Sequence, residues 1–190
     1  TVHVMAAGGA FGRKFMCDYV QEAAALSRAV RAPVSLTWSR EEDTRTGYYH
    51  SCTAQHIEAS VDADGKVTGW LHRAAFPTIG SLFDPSIAQP TAEDLEDISN
   101  HPYGIASMQV ESGLAPAHTR IGWYRAVYAI FYGFAINVFT DELARAAGVD
   151  TLEFIRGIYA NNKDKEQQEQ VQRCRGVLDE AARMAGWGKQ

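Results

Sequence analysis

The chain has 190 residues, which suits one domain or one domain with a small extension. Its apolar fraction of 46% is that of an ordinary globular core, and no apolar run approaches the ~18–20 residues of a membrane span. The net charge of −5, with scattered basic residues, gives no sign of a nucleic-acid surface.

Residues 2–6 read as a short strand. Residues 13–31 read as a helix, because Phe15, Tyr19, Ala23, Leu26 and Val30 recur on one face. Pro33 ends it. "PVSLTW", 33–38, reads as a buried strand, and "SREEDT", 39–44, as a charged turn. Residues 52–76 form two alternating runs around Asp64-Gly65, the pattern of a β-hairpin. Asp62-x-Asp64-Gly65 has the start of a calcium loop but lacks the remaining ligands. Residues 77–104, with Pro77, Pro85, Pro90 and Pro102, read as an irregular loop or insertion with a short helix at 91–98. "GIASMQVESG", 104–113, returns to strand. A second long helix is predicted at 129–147, ended by Gly148, and Asp150 is placed to cap a short helix at 151–159. After the polar connection "NNKDKEQQEQ", a last helix sets Val171, Cys174, Leu178, Ala181 and Ala185 on one face. Strands mixed with helices, one antiparallel hairpin and three main helices together predict an α+β fold with a mixed sheet.

Cys17, Cys52 and Cys174 are too few and too far apart for a disulfide framework, and without a C-x-x-C they read as buried free thiols. None of the six histidines forms H-E-x-x-H, and no G-x-S-x-G elbow occurs. Glu41, Glu42 and Asp43 read as solvated charges rather than a catalytic pair.

Two loops stand out. Gly8-Gly9-Ala10-Phe11-Gly12 sits between a strand and a helix. Glycine lets a ligand approach the main chain, and a helix start offers free N–H groups and positive dipole, so the stretch reads as an anion-binding turn or as a tight connection without ligand. It is not a P-loop, since Gly12 is followed by Arg13, and its spacing is not G-x-G-x-x-G. The second loop puts Trp123, Tyr124 and Arg125 before a helix. Arg offers a planar fork of donors to an anion or oxo group, and the plainer alternative is an aromatic cap with a surface Arg.

"GGAFGRK", followed by "EAAALSRAVRAPVSLTWSREED", resembles the molybdopterin-binding large subunit of the xanthine dehydrogenase/aldehyde oxidase family. The nearest likeness is to isoquinoline 1-oxidoreductase beta subunits and the related membrane-bound aldehyde dehydrogenases. "GWYRAVYAIFYGFAINVFTDELARAAGVDTLEFIR" is similar to that group's second cofactor segment, and "VLDEAARMAGWGK" to the helix after it. The resemblance implies a molybdopterin-binding domain over 1–190. It implies a molybdenum cofactor, with the cytosine dinucleotide as one form, held by Gly9, Ala10, Phe11 and Gly12 on one side and Tyr124 and Arg125 on the other. It also implies oxidation of aldehydes or N-heteroaromatics with water-derived oxygen, and electron transfer to an iron–sulfur small subunit. Ala10 stands where the family often has Gly, Ala126 where it has Ser or Gly, and Tyr128 where a Gly is common. The family's general-base Glu, in a G-x-G-E segment, and its upstream Gln segment are not in these residues. The chain is therefore expected to be the first part of a larger subunit, needing the remainder for activity and prone to self-association. A non-catalytic scaffold that keeps the cofactor-domain fold is the alternative.

Overall fold

The computed structural model describes residues 3, 5–117 and 119–188. Three strands, β1 (Ala54–Val61), β2 (Val67–Ala75) and β3 (Ser107–Gly113), form a sheet in the order β1-β2-β3. The six helices are α1 (Asp18–Val30), α2 (Arg40–Thr46), α3 (Glu96–Ser99), α4 (Ala129–Ala146), α5 (Thr151–Asn161) and α6 (Gln168–Ala185). The expected α+β class and mixed sheet are present: β1 pairs antiparallel with β2, and β3 pairs parallel with β2.

The hairpin lies where its turn signal put it. Asp62 Oδ1 accepts N–H bonds from Asp64 (3.0 Å) and Lys66 (2.9 Å), and Gly65 takes φ 78°. The Asp62 carboxylate thus closes the turn by binding backbone. Among the described residues no group of three or more His, Cys, Asp or Glu is placed to hold a metal.

Only one face of the sheet is buried. Trp70, His72 and Ala74 of β2 point inward, while Arg73 lies outward between Glu58 and Glu111. α4 covers the inner face: Phe139 meets Trp70 edge-on at 5.1 Å, and Phe76 packs among Tyr128, Phe131 and Tyr132. α5 packs on α4, and α6 on α5. Segment 77–104 closes this core rather than leaving it, burying Ile79, Leu95, Ile98 and Tyr103. Its polar anchors are buried too. The Tyr132 hydroxyl donates to the Asp94 carbonyl (2.8 Å), and Ile79 N–H donates to the Tyr128 hydroxyl (2.8 Å). Its short helix is at 96–99, later than the expected 91–98.

The last three helices follow their local signals. Asp150 caps α5 by accepting from Leu152 (3.0 Å) and Glu153 (3.2 Å), Gly148 takes φ 69° after α4, and Gly186 closes α6.

The first fifty residues depart from expectation. Val2 and Val4 of the predicted strand lie outside the described residues, while His3, Met5 and Ala6 form no strand. The predicted helix 13–31 is two pieces, a 3-10 turn at Arg13–Phe15 and α1, because Met16 between them is extended. Residues 33–38 join no sheet: strand propensity alone gives no ladder without a neighbour to pair with. The charged turn 39–44 is instead the start of α2. Ser39 is its N-cap, accepting from Glu42 N–H at 3.2 Å, and three acids in the first turn favour the positive end of the dipole. The cysteines are free as expected, but Cys17 and Cys52 are exposed rather than buried.

Candidate functional site

Loop 8–12 runs into the 3-10 turn, where Phe15 N–H donates to the Gly12 carbonyl at 3.1 Å. Phe11 and Gly12 have φ of 50° and 84°. Ala10 has a negative φ, so its methyl group is tolerated where glycine is common in the family it resembles. The Lys14 ammonium donates to the Gly9 carbonyl (2.7 Å) and folds the loop back on its own exit.

The second loop is anchored from both ends. Upstream, Tyr49 N–H donates to the Arg120 carbonyl (2.9 Å) and Gly122 N–H to the Tyr49 carbonyl (3.2 Å). Downstream, Tyr128 is buried against Phe76 with its hydroxyl on Ile79 N–H, a structural role that a glycine there could not fill. Between these anchors Ala126 and Val127 take φ of 68° and 42°.

Four non-glycine residues among those described have positive φ. Arg31 closes α1, and the other three, Phe11, Ala126 and Val127, belong to these two loops. Such angles cost free energy in L-residues, most of all in a β-branched one, and persist where surrounding contacts enforce them.

The two loops, more than a hundred residues apart in sequence, touch. A Cβ on Gly12 would lie 2.6 Å from the Trp123 carbonyl carbon and oxygen and 2.9 Å from Tyr124 N. Trp123 packs at a tilt on Phe15 with ring centres 4.2 Å apart, and Tyr124 meets His50 edge-on at 4.9 Å. The Arg125 guanidinium lies 5.9 Å from the centre of the Phe11 ring. Phe11, Gly12, Tyr124 and Arg125 are therefore brought together, with Gly9 and Ala10 at the open end. The loops form one continuous surface, not two jaws facing across a gap. Gly12 is needed for close approach to the neighbouring loop.

The expected link between the glycine loop and a helix N-terminus is not seen. α1 begins six residues past Gly12, and its first residue, Asp18, is held by Arg13 through two bonds of 2.8 and 2.9 Å. Burial disfavours the Asp18 carboxylate, but the Arg13 bonds and the charges of Arg13 and Arg120 outweigh it and hold its pKa below the ordinary carboxylate range. Sequence reasoning missed Asp18, Arg120 and Tyr48. The spacing of Arg13 and Asp18 was a visible signal for one pair, whereas Arg120 and Tyr48 meet it only in three dimensions. A groove of about 860 Å³ between α5 and α6, bordered by Tyr159, Cys174 and Leu178, holds none of the predicted site residues.

Residues 1–157 match the molybdopterin cofactor-binding domain. The chain is 30% identical over 160 residues to a subunit of the nicotinate dehydrogenase of Pseudomonas putida, covering 79% of this chain and 13% of that protein. It is 26% identical over 161 residues to the beta subunit of the isoquinoline 1-oxidoreductase of Brevundimonas diminuta, covering 81% and 20%. Its fold superposes on quinoline 2-oxidoreductase from Pseudomonas putida 86 with a TM-score of 0.61 at 20% identity, over 79% of this chain and 19% of that one. The chain thus spans a fifth or less of the length of these relatives.

The loop surface fits one side of a bulky anionic cofactor. No described acceptor takes the N–H groups of Gly8, Gly9 or Ala10, and a Cβ on Gly8 would meet only open space. Phe11 is 61% exposed beside the cationic Arg125, giving an apolar wall next to a donor fork. Loop chemistry, fold and family match agree, and the chain belongs to the molybdopterin cofactor-binding domain family, found in the large subunits of enzymes of the xanthine dehydrogenase/aldehyde oxidase type.

Proposed function

We propose that this domain supplies one wall of the cofactor site in the large subunit of a molybdenum hydroxylase. Its parent enzyme oxidises aldehydes or N-heteroaromatic compounds with oxygen from water. The observation that carries the reading is the contact of the two motif loops, with the strained non-glycine residues gathered there. The names of the relatives span both substrate classes, nicotinate dehydrogenase and isoquinoline 1-oxidoreductase on one side and aldehyde oxidoreductase on the other.

When bound, the molybdenum cofactor supplies a two-electron redox centre for hydroxylation. The residues of this chain bind and orient it. The N–H groups of Gly8, Gly9 and Ala10, taken by no described acceptor, would donate to its oxygen acceptors. Phe11 bounds the pocket and excludes water. Arg125, held over the Phe11 ring, presents a planar fork to an anionic oxygen. Tyr124 flanks it, steadied by His50. The opposite wall and the general-base Glu come from the rest of the subunit, and electrons leave through an iron–sulfur partner. The cytosine dinucleotide is the proposed cofactor form.

The test is molybdenum and pterin analysis of the assembled subunit, purified from a host that makes the cofactor, beside the isolated 190-residue chain. The reading expects stoichiometric metal and dye-linked oxidation in the first, and neither in the second. An assembled subunit without molybdenum or pterin would overturn it in favour of a scaffold that keeps only the fold.

A further inference from the structure

We infer that Asp18 is a positioning residue that sets the register between the two cofactor loops by holding one guanidinium from each side. The inference rests on the assignment of those loops to the cofactor.

Arg13 follows Gly12 directly, so its side chain is the first anchor downstream of the glycine loop. It grips Asp18 through both nitrogens, at 2.8 and 2.9 Å. Arg120 lies two residues ahead of Gly122, the start of the second loop. Its Nη2 donates to Asp18 Oδ2 at 3.4 Å and its Nη1 to the Thr46 carbonyl at 2.7 Å. Both guanidinium groups also flank one ring, Tyr48, at 5.2 and 4.5 Å from its centre. That ring is pressed on the second loop: a Cβ on Gly122 would sit 2.8 Å from Tyr48 Cδ1. A continuous path therefore runs from Gly12 through Arg13, Asp18 and Arg120 to Gly122.

The charges show why the carboxylate matters. Two cations share one anion and one aromatic ring. With the carboxylate gone, Arg120 would keep only the Thr46 carbonyl and the Tyr48 ring, Arg13 only the Tyr48 and Trp38 rings, and nothing anionic would offset the repulsion between the two cations. The Asp18 and Arg13 side chains are 14% and 25% exposed, so solvent screens their pair less than a surface pair, while the Arg120 arm, 47% exposed, is the more screened of the two. Bidentate Arg–carboxylate geometry is also directional, fixing angle as well as distance. The backbone contact at Gly12 is flanked by aromatic and cation–π contacts, Trp123 on Phe15 and Arg125 on Phe11, which are weakly directional, so a bidentate ion pair beside them adds the angular constraint. A slip of about 1 Å in such a support can cost about a hundredfold in rate.

The variants are Asp18→Asn, which keeps shape but loses charge, Asp18→Glu as the conservative rescue, and Arg120→Gln, which cuts the path from the other side. Amide resonances of the 190-residue chain, at a dilution where size-exclusion chromatography shows a monomer, are read by nitrogen–proton correlation NMR. Asp18→Asn is expected to shift and broaden Gly12 together with Gly122–Arg125, leaving Tyr132 and Ile136 in the core unchanged. Arg120→Gln is expected to shift Gly12, and Asp18→Glu to move the loop resonances back toward wild type. In the assembled subunit Asp18→Asn is expected to lower kcat by about tenfold to a hundredfold with little change in KM. Changes confined to residues 13–19, or spread evenly through the core, would overturn the inference, since a helix-start or general structural role predicts those. An assembled wild-type subunit without cofactor, together with coupled loop shifts in the variants, would overturn the cofactor assignment and leave the register intact. A loaded wild-type subunit, with no coupled shifts in the variants, would do the reverse.

Discussion

Replacing Gly12 with Val perturbs the point where the two loops meet. Gly12 has φ 84°, a region that costs a β-branched residue about 1–3 kcal/mol. The added Cβ would lie 2.6 Å from the Trp123 carbonyl and 2.9 Å from Tyr124 N. Those are backbone atoms, so no rotamer change relieves the clash and the loops must part. Trp123 is half-buried and Phe11 exposed, so the parting exposes little core. At about 2–4 °C per kcal/mol for a chain of this size, that strain alone lowers the melting temperature by about 2–12 °C. α1 and the sheet stay folded. Molybdenum content of the assembled subunit, measured by mass spectrometry with pterin fluorescence, falls to background. Wild-type molybdenum content in the variant would refute the reasoning, and so would global loss of helical circular dichroism.

Arg125→Lys keeps the charge and loses the fork, so turnover of the assembled enzyme should fall at least about tenfold, while the melting temperature hardly moves because the residue is exposed; near wild-type turnover would leave Arg125 a surface residue. Burial lowers the pKa of both His72 and His101 from 6.5 to about 4, aided at His101 by His72, so the unfolded state binds the extra protons. Their contribution is complete above about pH 6.5 and is lost as pH falls toward 4, at about 1.4 kcal/mol per pH unit for each histidine; a flat melting temperature from pH 7 to 4.5 would contradict this. Asp150→Ala removes the α5 cap with its two N–H bonds and should cost about 1 kcal/mol by urea unfolding, against no change if the cap is idle. Phe11, Phe15, Val30, Phe134 and Val177 are all more than half exposed, so the isolated chain should self-associate; a strict monomer by size-exclusion chromatography at high concentration would count against that expectation.

Several parts of the fold were legible because their causes are local. The Asp64-Gly65 turn, the apolar period of 129–147, the Asp150 cap and the face of the last helix each depend on residues within a few positions of one another. The Ser39…Glu42 cap of α2 was equally local and was overlooked beneath the charge of its neighbours. The family was also readable, from the motifs GGAFGRK and GWYRA.

Contacts between distant segments were decided by the tertiary structure alone. No periodicity could say that β3 joins β2 in parallel, or that 77–104 buries Ile79 and Ile98 in the core. Nor could sequence show that Gly12 touches Trp123, a contact between segments more than a hundred residues apart that stands beside the Tyr49–Ile121 bridge and the Asp18–Arg120 pair. The residue types were set by the chain, but the surface made by the two loops depends on long-range closure, and short-range preferences carry no information about it.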